Sequence, residues 1–126
     1  MIATSLGVWM VAAAIVREAS DQPLEGKKAV AQVVVTRSVE WNKPLHKVLV
    51  KRQFPWAGLR PMMPKARNAI DRKVQAEALI IARQALHGAR SKYLRHGKYL
   101  FFNTKPSGRK FKTRVPLVAI SAHYFY

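Results

Sequence analysis

The stretch TSLGVWMVAAAIVREASDQPLEGKKAVAQVVVTRS, residues 4–38, decides the fold. From Leu6 to Val16 it runs eleven residues without a charge. That is too short to span a bilayer, and no basic segment precedes it as a secretory signal requires. It therefore reads as a buried helix of the domain, with Thr4 or Ser5 as its N-cap and Asp21 and Pro23 ending it near Ser20. In the second half, Ala29, Val30, Val33, Val34 and Arg37 recur at helical spacing, although Val33-Val34-Val35 has strand propensity. No turn signal interrupts them, so the reading is a second helix over Leu24–Ser38.

Outward from this pair, Asn42-Lys43-Pro44 opens a short segment carrying Leu45, Val48 and Leu49. Residues 53–69 contain Pro55, Pro61 and Pro64 and little periodicity, which predicts a long irregular loop of the kind that is usually functional or mobile. Ile70–Leu86 is the clearest helix, closed by Gly88 after His87. Tyr99–Phe102 and Val115–Ile120 then look like strands, joined through Pro106-Ser107-Gly108. At 126 residues, one domain spanning 1–126 is expected. Its class is α+β, mostly α, with a small β-hairpin near the C-terminus.

Composition narrows the function. A hydrophobic fraction of 49% excludes intrinsic disorder. The 23 Lys and Arg against 6 Asp and Glu give a formal charge of +17, which calls for an acidic partner: nucleic acid, anionic lipid or a polyanionic cell envelope. With no cysteine there is no disulfide framework, thiolate nucleophile or thiolate zinc site. The histidines His46, His87, His96 and His123 lack ligand spacing, so neither a metal nor another cofactor is expected.

Six carboxylates are few enough to weigh singly. Glu40 beside Trp41 and Asp71 in a first helical turn read as structural. Asp21 and Glu25 flank Pro23 in a turn. Glu77 borders an apolar stripe of Ile70, Val74 and Ile81, with Lys73 as a ready partner four residues away. Glu18 stands apart. It continues the face of Val11, Ala14 and Ile15 and lies where the helix dipole disfavours a negative charge, so burial and dipole both push its pKa upward, as a general acid requires. The competing reading is a carboxylate held by Arg17 or another cation. His123, embedded in SAHYFY, is as a lone histidine more often core than catalyst. Aromatics group at Phe54 and Trp56 and again from Tyr99 to Tyr126, a pattern suited to stacking on sugars or bases or to filling a core.

Three stretches in order resemble one family: IVREASDQPLEGKKAVAQVVVTR at 15–37, QFPW at 53–56, and YLFFNTKPSG followed by VAISAHYFY within 99–126. They are similar to the cell-wall hydrolases of the spore cortex-lytic enzyme type, which cleave the glycan strands of peptidoglycan. Glu18-Ala19, Glu25-Gly26, Ala29-Val30-Ala31, Val33-Val34 and Arg37 match the family's Y-G-E-A-R-G-E…E-G…A-V-A-x-V-V-x-N-R pattern. Gln53, Phe54 and Trp56 match Q-F-S-W; Phe102-Asn103 match the aromatic-Asn-Pro element; Ile120, His123, Phe125 and Tyr126 match I-G-N-H-x-F-Y. Arg17 stands for the first motif's glycine, Ser20-Asp21-Gln22 for R-G-E, Thr36 for Asn and Ser121-Ala122 for Gly-Asn. The motif's second carboxylate is thereby lost.

The resemblance implies a fold like that of goose-type lysozymes and lytic transglycosylases, a helical domain whose small β element lines a cleft. It implies Glu18 as the acid acting between N-acetylmuramic acid and N-acetylglucosamine. Gln53, Asn103 and His123 would hold N-acetyl and hydroxyl groups, and Phe54, Trp56, Phe102 and Tyr126 would wall the cleft. Without a second carboxylate, transglycosylation is expected ahead of plain hydrolysis, because the muramic 6-hydroxyl can attack intramolecularly. The expected partners are peptidoglycan glycan strands and, through the basic surface, anionic envelope polymers. No specific nucleic acid, no transmembrane segment and a monomer complete the expectation. A cationic lytic domain with no export signal resembles a phage endolysin, made in the host cytoplasm and released through a holin. The rivals are a small basic nucleic-acid-binding protein, using the Lys, Arg, Tyr and Phe of 90–114, and a non-catalytic wall-binding module.

Overall fold

The computed structural model describes residues 3–95, 97–104 and 118–126. Thr4 caps helix α1, Ser5–Ala19, its hydroxyl accepting the Gly7 amide at 3.0 Å. Met10 to Ile15 are buried, and the short side chains of Ala12, Ala13 and Ala14 let two further helices approach closely. These are α2, Leu24–Glu40, and α4, Ala69–Leu86, which flank α1 and pack on each other. The long apolar run is thus the central helix of a bundle, enclosed by protein from Met10 to Ile15 while Leu6 and Trp9 near its start remain exposed. Among the described residues, no helix is long and apolar enough to cross a membrane.

Helix α2 continues two residues past its expected end, to Glu40. Its β-branched run stays helical because both faces are buried: Ala31 and Val34 pack with α1 and α4, while Ala29, Val30 and Val33 pack with Leu94, Tyr99, Ile120 and Phe125. Tertiary burial on two sides outweighs the propensity of Val33-Val34-Val35 for strand. A short helix α3, Leu45–Val48, and a single 3-10 turn, Pro55–Gly58, follow. The expected irregular loop is held in place by Arg17, whose Nε donates to the Met62 carbonyl, and by Gln75, whose amide donates to the Pro64 carbonyl.

Helix α4 starts on a reciprocal cap. The Asn68 side chain accepts the Asp71 amide at 2.8 Å, and the Asp71 carboxylate accepts the Arg67 amide at 2.9 Å. It ends at Gly88, whose φ of +95° only glycine adopts cheaply. The segment after it is pinned to α2 by two side chains. Gln32 donates to the Leu94 carbonyl and accepts the Ser91 amide, and Glu25 accepts from the Ser91 hydroxyl and the Lys92 amide.

The sheet corrects one expectation. Strands β1, Phe102–Asn103, β2, Val118–Ile120, and β3, His123–Phe125, form an antiparallel sheet in the order β1-β3-β2. Phe102 pairs with Phe125, so the first strand meets the last one, not the 115–120 segment. The hairpin is β2–β3, turned at Ser121-Ala122 with Ser121 at φ 52°. The reason is burial: Phe125 is fully enclosed against α2, so its strand takes the middle of the sheet. The expected turn Pro106-Ser107-Gly108, Val115–Leu117, His96 and residues 105–114 of the basic 90–114 stretch lie outside the described residues. The class is otherwise as read, α+β and mostly α.

Candidate active site

Glu18 sits in the last turn of α1, at the seam between the helical core and the sheet-side core. Val11, Ala14 and Ile15 behind it are each 0% exposed, so its own helix gives the carboxylate an apolar backing. Its partner is an indole: Trp56, in the 3-10 turn, donates Nε1–H to Glu18 Oε1 at 2.7 Å. Arg17, the cation that the competing reading nominated, is engaged with the Met62 carbonyl instead.

Glu18 lines a cleft of about 260 Å³. Gln53 and Phe54 come to it from the loop after α3, Phe102 and Asn103 from β1, and His123 from β3. Residues far apart in sequence and singled out for site roles therefore converge on one concavity. Gln53 is exposed at its edge, and Phe54 and His123 are buried in its wall. The wall is a run of neighbouring rings: Phe54 lies 6.3 Å from Phe102, and Phe102 meets His123 edge-on at 5.4 Å. Trp56, expected to wall the cleft, is 5.3 Å from Phe54 and bonded to Glu18 but does not itself line it. Tyr126 is placed elsewhere. It is 5% exposed, does not line the cleft, and its backbone pairs with Phe101 to extend the sheet.

Glu18 is alone of the six carboxylates in lining this cleft. The others have their own work. Glu25 pairs with Lys28 at 3.3 Å, Glu40 with Lys98 at 3.2 Å, and Glu77 with Lys27 on α2 at 2.7 Å rather than with Lys73. Asp71 caps α4, and Asp21 accepts from the Gln22 amide group. No cluster of three or more histidine, aspartate or glutamate side chains gathers among the described residues.

Two further residues line the cleft that carried no role in the sequence reading, Thr104 and Arg37. Arg37 is 5% exposed on α2, its Nε donating to the Leu100 carbonyl and its guanidinium carbon 5.3–5.4 Å from the rings of Trp41, Phe54 and Phe101. Burial pushes its pKa down to about 10, against the attraction of Glu18, which opposes the drop; it remains a cation at neutral pH. The signal was present in the sequence: Arg37 shares the periodicity of Ala29, Val30, Val33 and Val34, and a charge on a buried face needs a reason. Burial also lowers the pKa of His123, more than the charges of Glu18 and Asp21 raise it, which keeps the ring neutral at pH 7.

A mostly helical α+β domain that gathers a carboxylate, a buried cation and a wall of aromatic rings around one cleft is built as an enzyme on a polar substrate. More particularly, the chain belongs to the cell wall hydrolase family, which it matches over residues 21–126. That match begins at residue 21, just beyond Glu18, whose place in the cleft is given by the geometry. No curated protein and no solved structure matches the chain. The protein is accordingly an enzyme of peptidoglycan breakdown that acts on the cell wall.

Proposed function

We propose that the enzyme cleaves the glycan strand between N-acetylmuramic acid and N-acetylglucosamine, by lytic transglycosylation with Glu18 as acid and then base. Protonated Glu18 gives its proton to the glycosidic oxygen, and the bond to the anomeric carbon breaks through an oxocarbenium-like state. The resulting carboxylate takes the proton of the muramic 6-hydroxyl as that oxygen closes on the anomeric carbon. No water is consumed, and the product carries a 1,6-anhydro ring. The observation that carries this reading is that Glu18 is unaccompanied: no other carboxylate of the six lines the cleft. Two-carboxylate hydrolysis needs a second group at about 5–9.5 Å, whereas an intramolecular nucleophile needs only a base that has just lost its proton.

Gln53, Asn103 and His123 face the substrate's polar groups, and Phe54 and Phe102 stack against its rings. The formal charge of +17 supports the same substrate, because peptidoglycan and its companion polymers are polyanionic. The reading extends to a phage endolysin, a role that a compact, cysteine-free cationic lytic domain suits.

The test is clearance of a peptidoglycan suspension followed by mass spectrometry of the released fragments. The wild type is expected to clear it and to leave 1,6-anhydro ends, one water lighter than reducing ends. Glu18→Gln keeps an oxygen to accept the Trp56 N–H and is expected to fold normally while losing activity by roughly 10²-fold or more. A Glu18→Gln protein that still clears the wall removes the assigned acid. Reducing ends replace transglycosylation by plain hydrolysis at the same bond, and fragments cut at amide bonds overturn the glycosidase reading.

A further inference from the structure

Among the described residues, the buried side-chain atoms that lack a hydrogen-bond partner are Arg37 Nη1, Asn103 Oδ1 and His123 Nδ1. All three belong to residues lining the Glu18 cleft. An unsatisfied buried polar atom is costly, and such atoms are rare in a folded interior. Their collection at one cleft indicates a ligand that completes them. Arg37 is the most telling: 95% of it is withdrawn from water, α2, Leu100 and three rings fix its direction, and one nitrogen is left free.

The free atoms have a definite polarity. Arg37 Nη1 can only donate, and Asn103 Oδ1 accepts. Neutral His123 offers Nδ1 as donor or acceptor according to its tautomer. A group that accepts on one side, donates on the other and carries a small apolar end would satisfy the first two and rest its apolar end on Phe54 and Phe102. An acetamido group has this make-up: a carbonyl for Arg37, an N–H for Asn103 and a methyl for the rings. A carboxylate would satisfy Arg37 but oppose the Asn103 oxygen. A hydroxyl would suit His123 Nδ1, which can take either role toward it.

We propose that Arg37 is a substrate-contacting, specificity-determining residue, whose free Nη1 acts with Asn103 Oδ1 to clasp the N-acetyl group of the sugar lying over Glu18. This deepens the glycan-strand reading above and rests on it. Binding sites that hydrogen-bond a substrate group discriminate strongly against analogues lacking it, because the site's own polar atoms are then left bare. The enzyme is therefore selective for N-acetylated strands, and de-N-acetylation of the wall is a means of resisting it.

The test compares kcat/KM on peptidoglycan, on the same material after de-N-acetylation, and after chemical re-acetylation. High salt screens the repulsion between the new amines and the cationic protein. The wild type is expected to lose roughly tenfold to hundredfold on de-N-acetylated strands and to recover on re-acetylated ones. Arg37→Met, which keeps an unbranched stem among the rings and removes every donor, is expected to flatten that ratio. Asn103→Leu, on a partly exposed strand position, provides the same readout should the Arg37 variant fail to fold. A role in folding alone would lower both rates and leave their ratio unchanged. A wild type that cleaves both substrates equally, or an Asn103→Leu protein that keeps the full preference, overturns the clasp and leaves the glycosidase reading standing. A wild type that cleaves neither substrate overturns both.

Discussion

The Trp56–Glu18 hydrogen bond can be measured without reference to turnover. Trp56→Phe keeps a ring against Phe54, now 5.3 Å from it, and removes the N–H that reaches Glu18 Oε1 at 2.7 Å. A hydrogen bond between neutral groups contributes about 0.5–1.5 kcal/mol, and at 2.7 Å the upper end applies, about 1.5 kcal/mol. Near this chain length, about 1.5 kcal/mol corresponds to roughly 5–8 °C in Tm. A double-mutant cycle with Glu18→Ala isolates the pair: the two costs should fall short of additivity by about 1–1.5 kcal/mol in urea or thermal denaturation. Activity offers a second reading. A carboxyl group freed from its indole samples unproductive rotamers, so Trp56→Phe should lower kcat about tenfold, the equivalent of about 1.4 kcal/mol. Costs that add to within about 0.3 kcal/mol, together with an unchanged kcat, would refute the claim that Trp56 positions the acid.

Two further expectations concern the frame around the cleft. Burial alone would raise the pKa of Glu25, but the Lys92 amide, Lys28 and the Ser91 hydroxyl together hold it below the ordinary value of 4.5. The unfolded chain therefore takes up the proton first, and this stabilisation is complete above pH 4.5 and lost as pH falls through the folded value. Glu25→Gln should remove that part of the acid-side slope, cost about 1–2 kcal/mol at neutral pH, and speed hydrogen exchange of the Lys92 amide. At Gly88, with φ +95° and nothing within 4 Å of an added Cβ, Gly88→Ala meets no clash and pays only for its backbone. The expected loss is about 1 kcal/mol by denaturant titration, with no change in wall-clearing activity.

Helix ends follow from local chemistry, and for several of them the sequence was sufficient. Thr4 and Gly88 mark helix ends because they satisfy or redirect backbone groups within a few residues, whereas the Asn68 cap of α4 came from the structure. The apolar run at 6–16 is legible as a buried helix because it is too long for a buried strand, too short to span a bilayer and opens on an N-cap threonine. Strand pairing was not legible in the same way: which of two partners Phe102 joins depends on Phe125 being enclosed against α2, a contact made across the whole chain.

The amino-acid sequence by itself determined the first and last long helices, the mostly α class, the cationic character and a carboxylate, Glu18, on an apolar helix face, since these are settled by composition or by neighbours within a turn or two. The helical state of α2 needed burial on both its faces. Only the tertiary structure decided what Glu18 faces. It gave Glu18 the Trp56 indole as its hydrogen-bond partner, sent Arg17 to the Met62 carbonyl, set Tyr126 into the sheet, and turned Arg37 from a motif residue into a buried charge beside Glu18 with one nitrogen free. The physical reason is that hydrogen-bond partners and burial depend on distance in space, and residues 18, 37, 54, 103 and 123 become neighbours only when α1, α2, the Pro55 loop and the sheet close on one another.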